Sequence, residues 1–598
     1  MDFKKIGLKC GIEIHQQLAG KKLFCNCPTK IMDTAPDQVV RRRLKAVTGE
    51  TGRVDEAAAH EESKEKEFIY HFYSDCNCLV ELDEEPPQPM NKEALETALL
   101  IAKMLNAEPV DEIQVMRKTV IDGSNTTGFQ RTALVARNGF IEISEGRIRI
   151  PTICIEEEAA KIVEREGECD VYNLSRLGIP LIEIGTNADI RSPDGAREAA
   201  EKIGMILRST NRIMRGLGTI RQDVNISIAG GNRVEIKGAQ DLRIISKLVE
   251  YEAIRQENLI KIANELKKKQ LNPDIIDVTA VFSETECAVI KKSGRVLGIK
   301  LEGFAGFLGR EIMPGRRLGT ELSDYAKTAG VGGIFHSDEL PNYGISSAEV
   351  EKLRSVLRCR ADDAFVLVAD KKRAEMALVF ATKRAKLCFE GVPKEVRKAN
   401  PDGTTSFLRP MPGEARMYPE TDVLPITPHS KMLVVPELVE NRATRYVAEY
   451  NLSRDMAIII AKSERFEMFE LFAAEFTKLK PAYIAELLFS LPQNIKRKQK
   501  IDVKLTQDQY ENLLNLINKG MLAKESVVDA MIEISQGRFN LEKYMQIQDE
   551  KLKEGLKEIV ERHKGASFSA IMGEAMKVYR GKVDGKRISE ILREIYDF

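Results

Sequence analysis

The stretch Gly11-Ile-Glu-Ile-His-Gln-Gln-Leu18 decides the fold of the first domain, because its apolar and polar residues alternate as in a β-strand. Side chains two positions apart lie on the same face of a strand, so Glu13 and His15 are predicted to lie side by side. A carboxylate next to an imidazole can hold a divalent cation or act as an acid–base pair. It can equally be an ion pair satisfied within a core. The stretch alone leaves all three interpretations open.

Length and composition bound the kind of protein. At roughly 150 residues per domain, 598 residues predict three to five domains. The 91 basic and 91 acidic residues cancel, so any nucleic-acid surface must be local. No apolar run approaches the roughly 20 residues of a membrane helix, and the N-terminus lacks the apolar core of a signal peptide. The sequence therefore predicts a cytoplasmic protein without a membrane partner, whose ten cysteines are metal ligands or reduced thiols.

Residues 1–268 mix strand and helix patterns. Strands are predicted where β-branched and aliphatic residues form short runs, at 113–120, 132–135, 140–143, 148–155, 180–184, 224–228 and 234–236. Helices are predicted where apolar residues recur at intervals of three and four, at 92–105, 194–210 and 239–268. This mixture indicates an α+β domain.

The remaining chain is predicted to form three further domains. Gln270-Leu-Asn-Pro273 ends the last helix, and β-type runs at 277–282, 297–300 and 365–368 precede the turn signal Asn400-Pro-Asp-Gly403. We therefore predict an inserted α+β module at 269–405, with 406–435 completing the first domain. Residues 436–535 are predicted to be an all-helical domain, and 536–598 a small tail domain of three amphipathic helices.

Three further β-type runs carry acids in an apolar context: Ile155-Glu-Glu-Glu158, Ile182-Glu-Ile184 and Val234-Glu-Ile-Lys237. An unpaired carboxylate in a sheet core costs several kcal/mol, and a nearby cation offsets that cost. One such acid is usually an edge residue that faces solvent, but four runs in one domain favour a shared acidic site. Oxygen ligands with one imidazole suit Mg²⁺ or Mn²⁺.

Basic residues accompany these acids. Lys161 follows the acidic triplet and is predicted to lie one helical turn further on, Arg221 precedes Asp223 and Asn225, and Lys237 ends its run. Carboxylates for Mg²⁺ together with Lys and Arg for phosphates are typical of phosphoryl transfer. The alternative is a set of surface salt bridges. No phosphate loop of the Gly-x-x-x-x-Gly-Lys-Ser/Thr type is present.

Two pairs of cysteines have the same spacing, Cys25-x-Cys27 and Cys76-x-Cys78. Four thiolates in two close pairs can hold a tetrahedral Zn²⁺ ion. The spacing is tighter than the commoner two-residue interval, so reduced buried thiols are the alternative.

Several segments together resemble the GatB/GatE family, the kinase and transamidase subunits of tRNA-dependent amidotransferases. Besides Gly11–Leu18, the segments that carry the resemblance are Lys22-Leu-Phe-Cys-Asn-Cys27, Ile155-Glu-Glu-Glu-Ala-Ala-Lys161, Tyr172-Asn-Leu-Ser-Arg-Leu-Gly-Ile-Pro-Leu-Ile-Glu-Ile184, Arg221-Gln-Asp-Val-Asn-Ile-Ser227, Arg233-Val-Glu-Ile-Lys237 and Arg416-Met-Tyr-Pro-Glu-Thr-Asp422. Phe568-Ser-Ala-Ile-Met-Gly-Glu-Ala-Met-Lys577 and Arg580-Gly-Lys-Val-Asp-Gly-Lys586 resemble the family's tail domain. The resemblance spans essentially the whole chain.

Two features make the archaeal GatE branch of the family the closest match. The bacterial GatB branch usually has Cys-Pro-x-Cys where this chain has Cys76-x-Cys78. The inserted module, with Leu301-Glu-Gly-Phe-Ala-Gly306 and Pro314-Gly-Arg-Arg-Leu-Gly-Thr-Glu321, resembles the insertion domain of bacterial-type aspartyl-tRNA synthetases. The GatE branch implies an asparaginase-like glutaminase partner (GatD), in a heterotetramer with two copies of each protein.

The resemblance also implies a cradle-type catalytic domain and a mechanism. ATP would phosphorylate the γ-carboxylate of glutamate on tRNA(Gln), and ammonia from the partner would then displace phosphate. The implied Mg²⁺ and reaction-centre residues are Glu13, His15, Glu157 and Glu183, with Glu156 as the alternative to Glu157 because neighbouring strand residues face opposite ways. The implied contacts to ATP or substrate are Lys161, Arg221, Asn225 and Lys237. The four paired cysteines would be the zinc site.

The helical and tail domains would then bind tRNA. Asn494-Ile-Lys-Arg-Lys-Gln-Lys500 and residues 577–586 are the predicted phosphate contacts, with a solvated helix face as the alternative for each. One rival hypothesis is a non-catalytic tRNA-binding or assembly subunit. Another is a relative of aspartyl-tRNA synthetases, but no class II catalytic motif lies outside the inserted module.

Overall fold

A computed structural model describes residues 1–45, 66–166, 169–266, 270–411, 417–429, 433–541, 549–579 and 585–595, together with residues 54, 62 and 583. The described chain divides into two compact units, 1–436 and 437–598. The first unit mixes strands and helices, and the second is helical. The predicted multidomain α+β class is therefore confirmed.

An eleven-stranded sheet forms the centre of the first unit. Its strands are β1 (Lys9–Gln17), β4 (Glu108–Pro109), β5 (Val115–Thr119), β6 (Phe129–Ile143), β7 (Gly146–Glu157), β10 (Pro180–Gly185), β11 (Ile220–Ser227), β12 (Val234–Lys237), β19 (Glu395–Ala399), β20 (Thr405–Pro410) and β21 (Met417–Pro419). Their order is β20-β19-β12-β11-β1-β10-β7-β6-β5-β21, with β4 paired to β6. Only the β12–β19 pair is parallel among these described strands. The strand that contains Glu13 and His15 is thus central.

Three helices cover one face of this sheet: α1 (Lys92–Met104), α2 (Pro193–Ser209) and α3 (Leu242–Glu265). Each begins at a side chain that accepts a backbone N–H, as Ser192 does from Gly195 and Asp241 does from Arg243. Ile12 and Ile14 of β1 are buried, whereas Glu13 between them is partly exposed. Because strand side chains alternate, Glu13 and His15 lie on the face opposite the helices.

A second sheet lies in the same unit and is made of β2 (Gln38–Arg42), β3 (Glu67–Phe72), β8 (Lys161–Glu166) and β9 (Cys169–Asn173) in the order β2-β3-β9-β8. Phe68, Tyr70 and Tyr172 form the centre of its core. Lys161 is the first residue of β8, so the prediction that Lys161 lies on a helical turn is wrong. Residues 158–160 link the end of β7 to the start of β8 without forming a helical turn.

The inserted module has its own four-stranded sheet, with β13 (Ile276–Asp277), β14 (Val296–Leu301), β17 (Phe335–His336) and β18 (Ala364–Ala369) in the order β13-β14-β18-β17. Its helices are α4 (Ala288–Ser293), α5 (Leu318–Lys327), α6 (Ser347–Val356) and α7 (Ala374–Leu387), beside a ribbon of β15 (Glu311–Met313) and β16 (Arg316–Arg317). A buried apolar cluster that includes Phe282, Leu353 and Phe365 is the core of this sheet.

The structure corrects two predicted boundaries. The module was predicted to end at 405, but β19 pairs with β12 and therefore already belongs to the central sheet. The apolar run predicted as a strand at 277–282 has only Ile276–Asp277 in β13, followed by a 3₁₀ turn at Thr279–Phe282. Asp277 accepts hydrogen bonds from Thr279 there, and this local turn competes with strand pairing.

The named elements in the described part of the second unit are all helices. Its helices are α8 (Val439–Tyr450), α9 (Arg454–Lys462), α10 (Phe466–Glu475), α11 (Pro481–Ala485), α12 (Leu491–Gln499), α13 (Gln507–Asn518), α14 (Val527–Ser535), α15 (Asp549–Arg562), α16 (Phe568–Tyr579) and α17 (Gly585–Ile595). The last three pack around Leu556, Ile571 and Ile591, as predicted for the tail. Within the described residues, no helix is long and apolar enough to cross a membrane. The finer division at 535 stays a prediction.

Candidate active site

Strand register brings the predicted site residues together. His15 on β1 lies opposite Glu183 on β10 and Arg221 on β11. Glu13 lies opposite Asp223 on β11. These side chains lie on the sheet face opposite the helices, so four neighbouring strands contribute to one acidic surface.

His15 is at the centre of this surface. Its Nε2 atom lies 3.3 Å from Glu13 Oε1, 3.6 Å from Glu183 Oε2 and 3.8 Å from Glu156 Oε1. The imidazole is 11% exposed, whereas Glu13 and Glu183 are 28% and 22% exposed, so the cluster is reachable from solvent. We name these four residues the acid–histidine cluster.

The charges in the cluster perturb one another. Burial disfavours the imidazolium, but the hydrogen bond to Glu183 and the charges of Glu156 and Glu13 raise the pKa of His15 to about 9. Burial and the neighbouring Glu183 raise the pKa of Glu13 to about 7. Burial also acts on Glu183, but its bond to His15 and the charge of Lys118 lower its pKa to about 2. The cluster has three carboxyl groups for one imidazole, and a bound cation would offset their mutual repulsion.

The structure places Glu156, and not Glu157, in the cluster. Glu157 lies on the other side of β7, where its carboxylate is 3.4 Å from Arg131 Nη1. Arg131 also donates to Glu420 from Nε at 2.7 Å. The prediction that named Glu157 is therefore corrected, and its stated alternative, Glu156, has the required position. Adjacent residues of a strand point in opposite directions, and the sequence alone does not fix which one points inwards.

The donor set fits a hard divalent cation. Two groups of side chains could each hold a cation: Glu13–His15–Asp223 and His15–Glu156–Glu183. Within each group, the ligand atoms lie within 4.8 Å of one another. Glu156 Oε2 is buried and has no hydrogen-bond partner among the described residues, although Lys118 Nζ lies 3.8 Å away. A buried carboxylate oxygen without a donor is costly unless a cation contacts it. Carboxylates with one imidazole suit Mg²⁺ or Mn²⁺.

Three of the four residues predicted to contact ATP or substrate lie around the cluster, and Lys161 does not. Lys237 Nζ lies 2.8 Å from both Asp223 and Glu235, and Asn225 is half-buried two residues beyond Asp223. Arg221 Nη1 contacts Glu158 at 2.7 Å. Lys161, by contrast, pairs with the exposed Asp33 at 2.8 Å, and this contact contradicts its predicted place beside the acids.

Four residues of this surface had no predicted role. They are Lys118, Glu158, Arg176 and Asp223. Asp223 was recognisable, because it alternates with Arg221 and Asn225 along one strand. Lys118 and Arg176 carried no local signal, since they reach the surface through pairing between distant strands and through a 3₁₀ turn.

The cysteine cluster differs from the predicted four thiols. The sulfur atoms of Cys25, Cys27 and Cys78 and a carboxylate oxygen of Glu81 lie within 4.8 Å of one another. Cys76 is buried outside this group, which contradicts its predicted role as a ligand. Asn77 N–H donates to Tyr73 O at 2.8 Å, so the chain is wound into a turn there and residues two apart do not share a face.

The donor set of the cysteine cluster fits zinc. Cys25 Sγ lies 2.9 Å from Glu81 Oε1, and the contact of Cys25 with Cys78 is the main reason that the pKa of Cys78 falls to about 7. Lys22, fully buried, lies 3.6 Å from Glu81 and offsets part of the cluster's negative charge. Thiolate sulfur and carboxylate oxygen both bind Zn²⁺, and four such ligands match the tetrahedral coordination of structural zinc sites.

Comparison with known proteins agrees with this architecture. The fold and site define a multidomain α+β protein with a partly exposed acidic site on one face of its central sheet. The model of the GatB/GatE catalytic domain matches residues 8–434, and that of the GatB domain matches residues 467–595. The chain belongs to the GatB/GatE family.

Full-length relatives support the same assignment. The E subunit of glutamyl-tRNA(Gln) amidotransferase from Archaeoglobus fulgidus is 50% identical over 613 residues, which cover 99% of this chain and 98% of the relative. The protein of the same name from Methanocaldococcus jannaschii is 46% identical, with 99% of both chains covered. That of Methanococcus maripaludis strain S2 is 45% identical, with 99% of this chain and 98% of the relative covered.

Proposed function

We propose that this chain is the transamidating subunit of an amidotransferase that converts Glu-tRNA(Gln) to Gln-tRNA(Gln) with ATP, and hence a ligase. The acid–histidine cluster is the observation that carries the proposal. Glu13 and Glu183 are partly exposed on one face of the central sheet, so a nucleotide and the end of a tRNA would reach the cluster from that side. Relatives that align with this chain over nearly their whole length are named as the E subunit of glutamyl-tRNA(Gln) amidotransferase, and they support the choice of substrate.

The reaction needs an activated carboxylate. The γ-carboxylate oxygen of the glutamyl group attacks the γ-phosphorus of ATP, and ADP leaves, so an acyl phosphate forms. Ammonia then attacks the acyl carbon, phosphate leaves with the C–O bonding pair, and the nitrogen loses a proton. Activation is required because a free carboxylate has no good leaving group at neutral pH. Positioning and charge neutralisation dominate such phosphoryl transfers.

The residues of the site have distinct tasks in this proposal. Glu13, His15, Glu156 and Glu183 would hold Mg²⁺, which supplies neutralisation of the phosphate charge when bound. Lys118, Lys237 and Arg221 surround them with positive charge that attracts and orients phosphate oxygens. Asn225 supplies an amide for hydrogen bonding to the nucleotide or substrate.

The reaction also needs a source of ammonia. We assign glutamine hydrolysis to an asparaginase-like glutaminase partner (GatD), in a cytoplasmic heterotetramer with two copies of each protein, because the resemblance to the GatE branch implies this partner. Relatives named as subunits of an amidotransferase support a multi-subunit assembly.

tRNA binding and zinc complete the proposal. Lys496, Arg497, Lys498 and Lys500, at the end of α12, are all exposed and would contact RNA phosphates. The second predicted contact, 577–586, lies partly outside the described residues. Cys25, Cys27, Cys78 and Glu81 would hold a structural Zn²⁺ that ties two loops of the first unit together.

Two substitutions test the proposed function in the complex with the glutaminase partner. Glu13→Gln and His15→Ala should each lower tRNA-dependent ATP cleavage and Gln-tRNA(Gln) formation at least 100-fold, since both remove cluster charge and ligands. Glu142→Gln, an exposed acid at the far end of β6, is the matched control and should retain full activity. If both site variants keep wild-type rates, the chain is instead a non-catalytic tRNA-binding or assembly subunit.

A further inference from the structure

A second polar group lies beside the acid–histidine cluster and is built around a buried carboxylate. Glu158 is 1% exposed, and Arg221 Nη1 lies 2.7 Å from both of its oxygens. Gln17 Nε2 donates to Glu158 Oε2 at 3.1 Å, and the Ala159 N–H donates to Oε1 at 3.0 Å. A guanidinium, a side-chain amide and a backbone N–H therefore hold both oxygens of Glu158 in place.

Arg176 is the second guanidinium of this group and is held firmly by the backbone. Its Nε donates to the Ala159 carbonyl and its Nη2 to the Ala160 carbonyl, both at 2.8 Å. The same Nε lies 4.0 Å from Glu158 Oε1. The side chain is 24% exposed, so its outer edge faces solvent while its inner edge is fixed.

The charges of this group do not balance. Two guanidinium groups face one carboxylate, and burial together with the charge of Arg221 lowers the pKa of Arg176. Among the described residues, Arg221 donates only from Nη1 and Arg176 only from Nε and Nη2. Each therefore keeps N–H donors that point to no acceptor in the described part of the chain. An arrangement with surplus positive charge and unused donors is suited to an anion.

The position of the group indicates which anion. Arg221 is the register partner of His15, and Glu158 lies two residues beyond Glu156 at the end of the same acidic run. The backbone of Arg221 is thus about one strand spacing, roughly 5 Å, from that of His15, and Arg176 adjoins Arg221 through their shared partner Glu158. A polyphosphate whose reacting end contacts a cation in the cluster would extend over them.

We propose that Arg176 and Arg221, aligned by Glu158, form a clamp for the phosphates of ATP. The proposal rests on the proposed function and adds Arg176 as a binding residue and Glu158 as a positioning residue. The planar fork of arginine fits two phosphate oxygens at once, which an ammonium group does not. A phosphate of the tRNA has the same chemistry, but the nucleotide is favoured because the clamp adjoins the reacting phosphate.

Steady-state kinetics of the complete complex test the clamp. Arg176→Met should raise KM for ATP about 10- to 100-fold and lower kcat much less, since it removes a charge-assisted contact to a non-reacting phosphate. Arg176→Lys should recover only part of the loss. Arg149→Met is the matched control, because Arg149 also pairs with a carboxylate beside the sheet but is 66% exposed. An unchanged KM for ATP in Arg176→Met overturns the proposal.

Glu158 and RNA binding complete the test. Glu158→Gln should raise KM for ATP and leave KM for glutamine unchanged, and Glu158→Asp should retain an intermediate KM for ATP. If Arg176→Met raises KM for misacylated tRNA but not KM for ATP, and makes tRNA affinity less dependent on salt, the clamp binds RNA and the ATP assignment is wrong. If the wild-type complex cleaves no ATP, the proposed function fails and not the clamp.

Discussion

At the scale of the residue, neighbouring positions in one strand have opposite surroundings. Glu156 faces His15 and Lys118, whereas Glu157 faces Arg131 and is part of a buried ion pair. The alternation predicted that only one of them could join Glu13 and His15, but not which one. The choice depends on the register of β7 against β10, where Leu181 lies opposite Glu156, and register is a property of two distant segments.

This contrast yields a prediction for two adjacent substitutions. Glu156→Gln should lower tRNA-dependent ATP cleavage at least 100-fold, because it removes a buried cluster charge that has no hydrogen-bond partner on Oε2 among the described residues. Glu157→Gln should change that rate less than about tenfold but destabilise the fold by about 3 kcal/mol, since it leaves Arg131 with one acid fewer.

Two measurements separate these effects. Single-turnover ATP cleavage is measured at saturating substrate, and thermal unfolding is measured on the same preparations. The interpretation is wrong if Glu157→Gln is the variant that loses cleavage while retaining its melting temperature.

At the scale of the element, the loops that carry the cysteines were harder to predict than the strands. Cys25 and Cys27 do join one cluster, but Cys76 and Cys78 separate because a turn at Tyr73–Asn77 lies between strand and loop. Glu81 replaces Cys76, three residues beyond Cys78, where its Oε2 accepts from the Cys78 N–H at 2.8 Å. The spacing patterns used to recognise zinc sites count cysteines and histidines, not carboxylates, so the sequence did not indicate Glu81.

Metal content tests this arrangement. Cys78→Ser should lose the zinc, because it removes one of three thiolates, and Cys76→Ser should retain about one Zn²⁺ per chain. Zinc is measured by elemental analysis of purified protein, and chelator-induced loss is followed by the shift in melting temperature. Equal loss of zinc from both variants would restore the four-cysteine hypothesis.

A buried carboxylate next to strand β21 predicts that the stability of the fold depends on pH. Glu420 follows this strand and is buried between Arg117 and Arg131. Burial opposes ionisation, but the hydrogen bond from Arg117 and the charge of Arg131 lower the pKa of Glu420 from 4.5 to about 2. A carboxyl group with a lowered pKa in the folded state stabilises above its unfolded pKa, and this stabilisation is lost as pH falls from about 4.5 to 2.

Glu420→Gln should therefore melt at a lower temperature than wild type at pH 7, with a difference that shrinks below pH 4.5. Melting temperatures at pH 7, 5, 4 and 3 measure this difference. Glu142→Gln, which removes an exposed acid paired to Arg147, should show no such trend. A constant difference at all four pH values would mean that Glu420 acts through packing alone.

At the scale of the whole molecule, the helical character of the second unit was predictable, whereas the joint between the inserted module and the central sheet was not. Helical periodicity and turn signals predicted the inserted module and the helical second unit. The joint between the module and the central sheet is a buried ion network whose members are Glu252, Arg255, Glu321, Arg384, Glu395 and Arg397. These charges are up to 145 residues apart in sequence, from Glu252 to Arg397, so no local pattern connects them.

Glu321 of the module is the centre of this network. It lies 2.6 Å from Arg255 Nε of α3, 2.6 Å from Arg384 Nη2 of α7 and 2.8 Å from Arg397 Nη2 of β19. Burial opposes its ionisation, but the three arginines hold the pKa of Glu321 well below its usual range. The carboxylate therefore stays charged and joins the module to two elements of the catalytic domain.

Glu321→Gln should lower the free energy of unfolding of the first unit by about 3–5 kcal/mol, because three buried guanidinium groups lose their shared anion. Glu265→Gln is the matched control: Glu265 also pairs across the joint, with Arg310 at 2.6 Å, but the two side chains are 49% and 40% exposed. Solvent screening limits its cost to less than about 1 kcal/mol. Urea unfolding followed by far-UV circular dichroism measures both. If both substitutions lower the free energy of unfolding equally, the joint depends on apolar packing. If only Glu321→Gln lowers it, the buried charges hold the module in position.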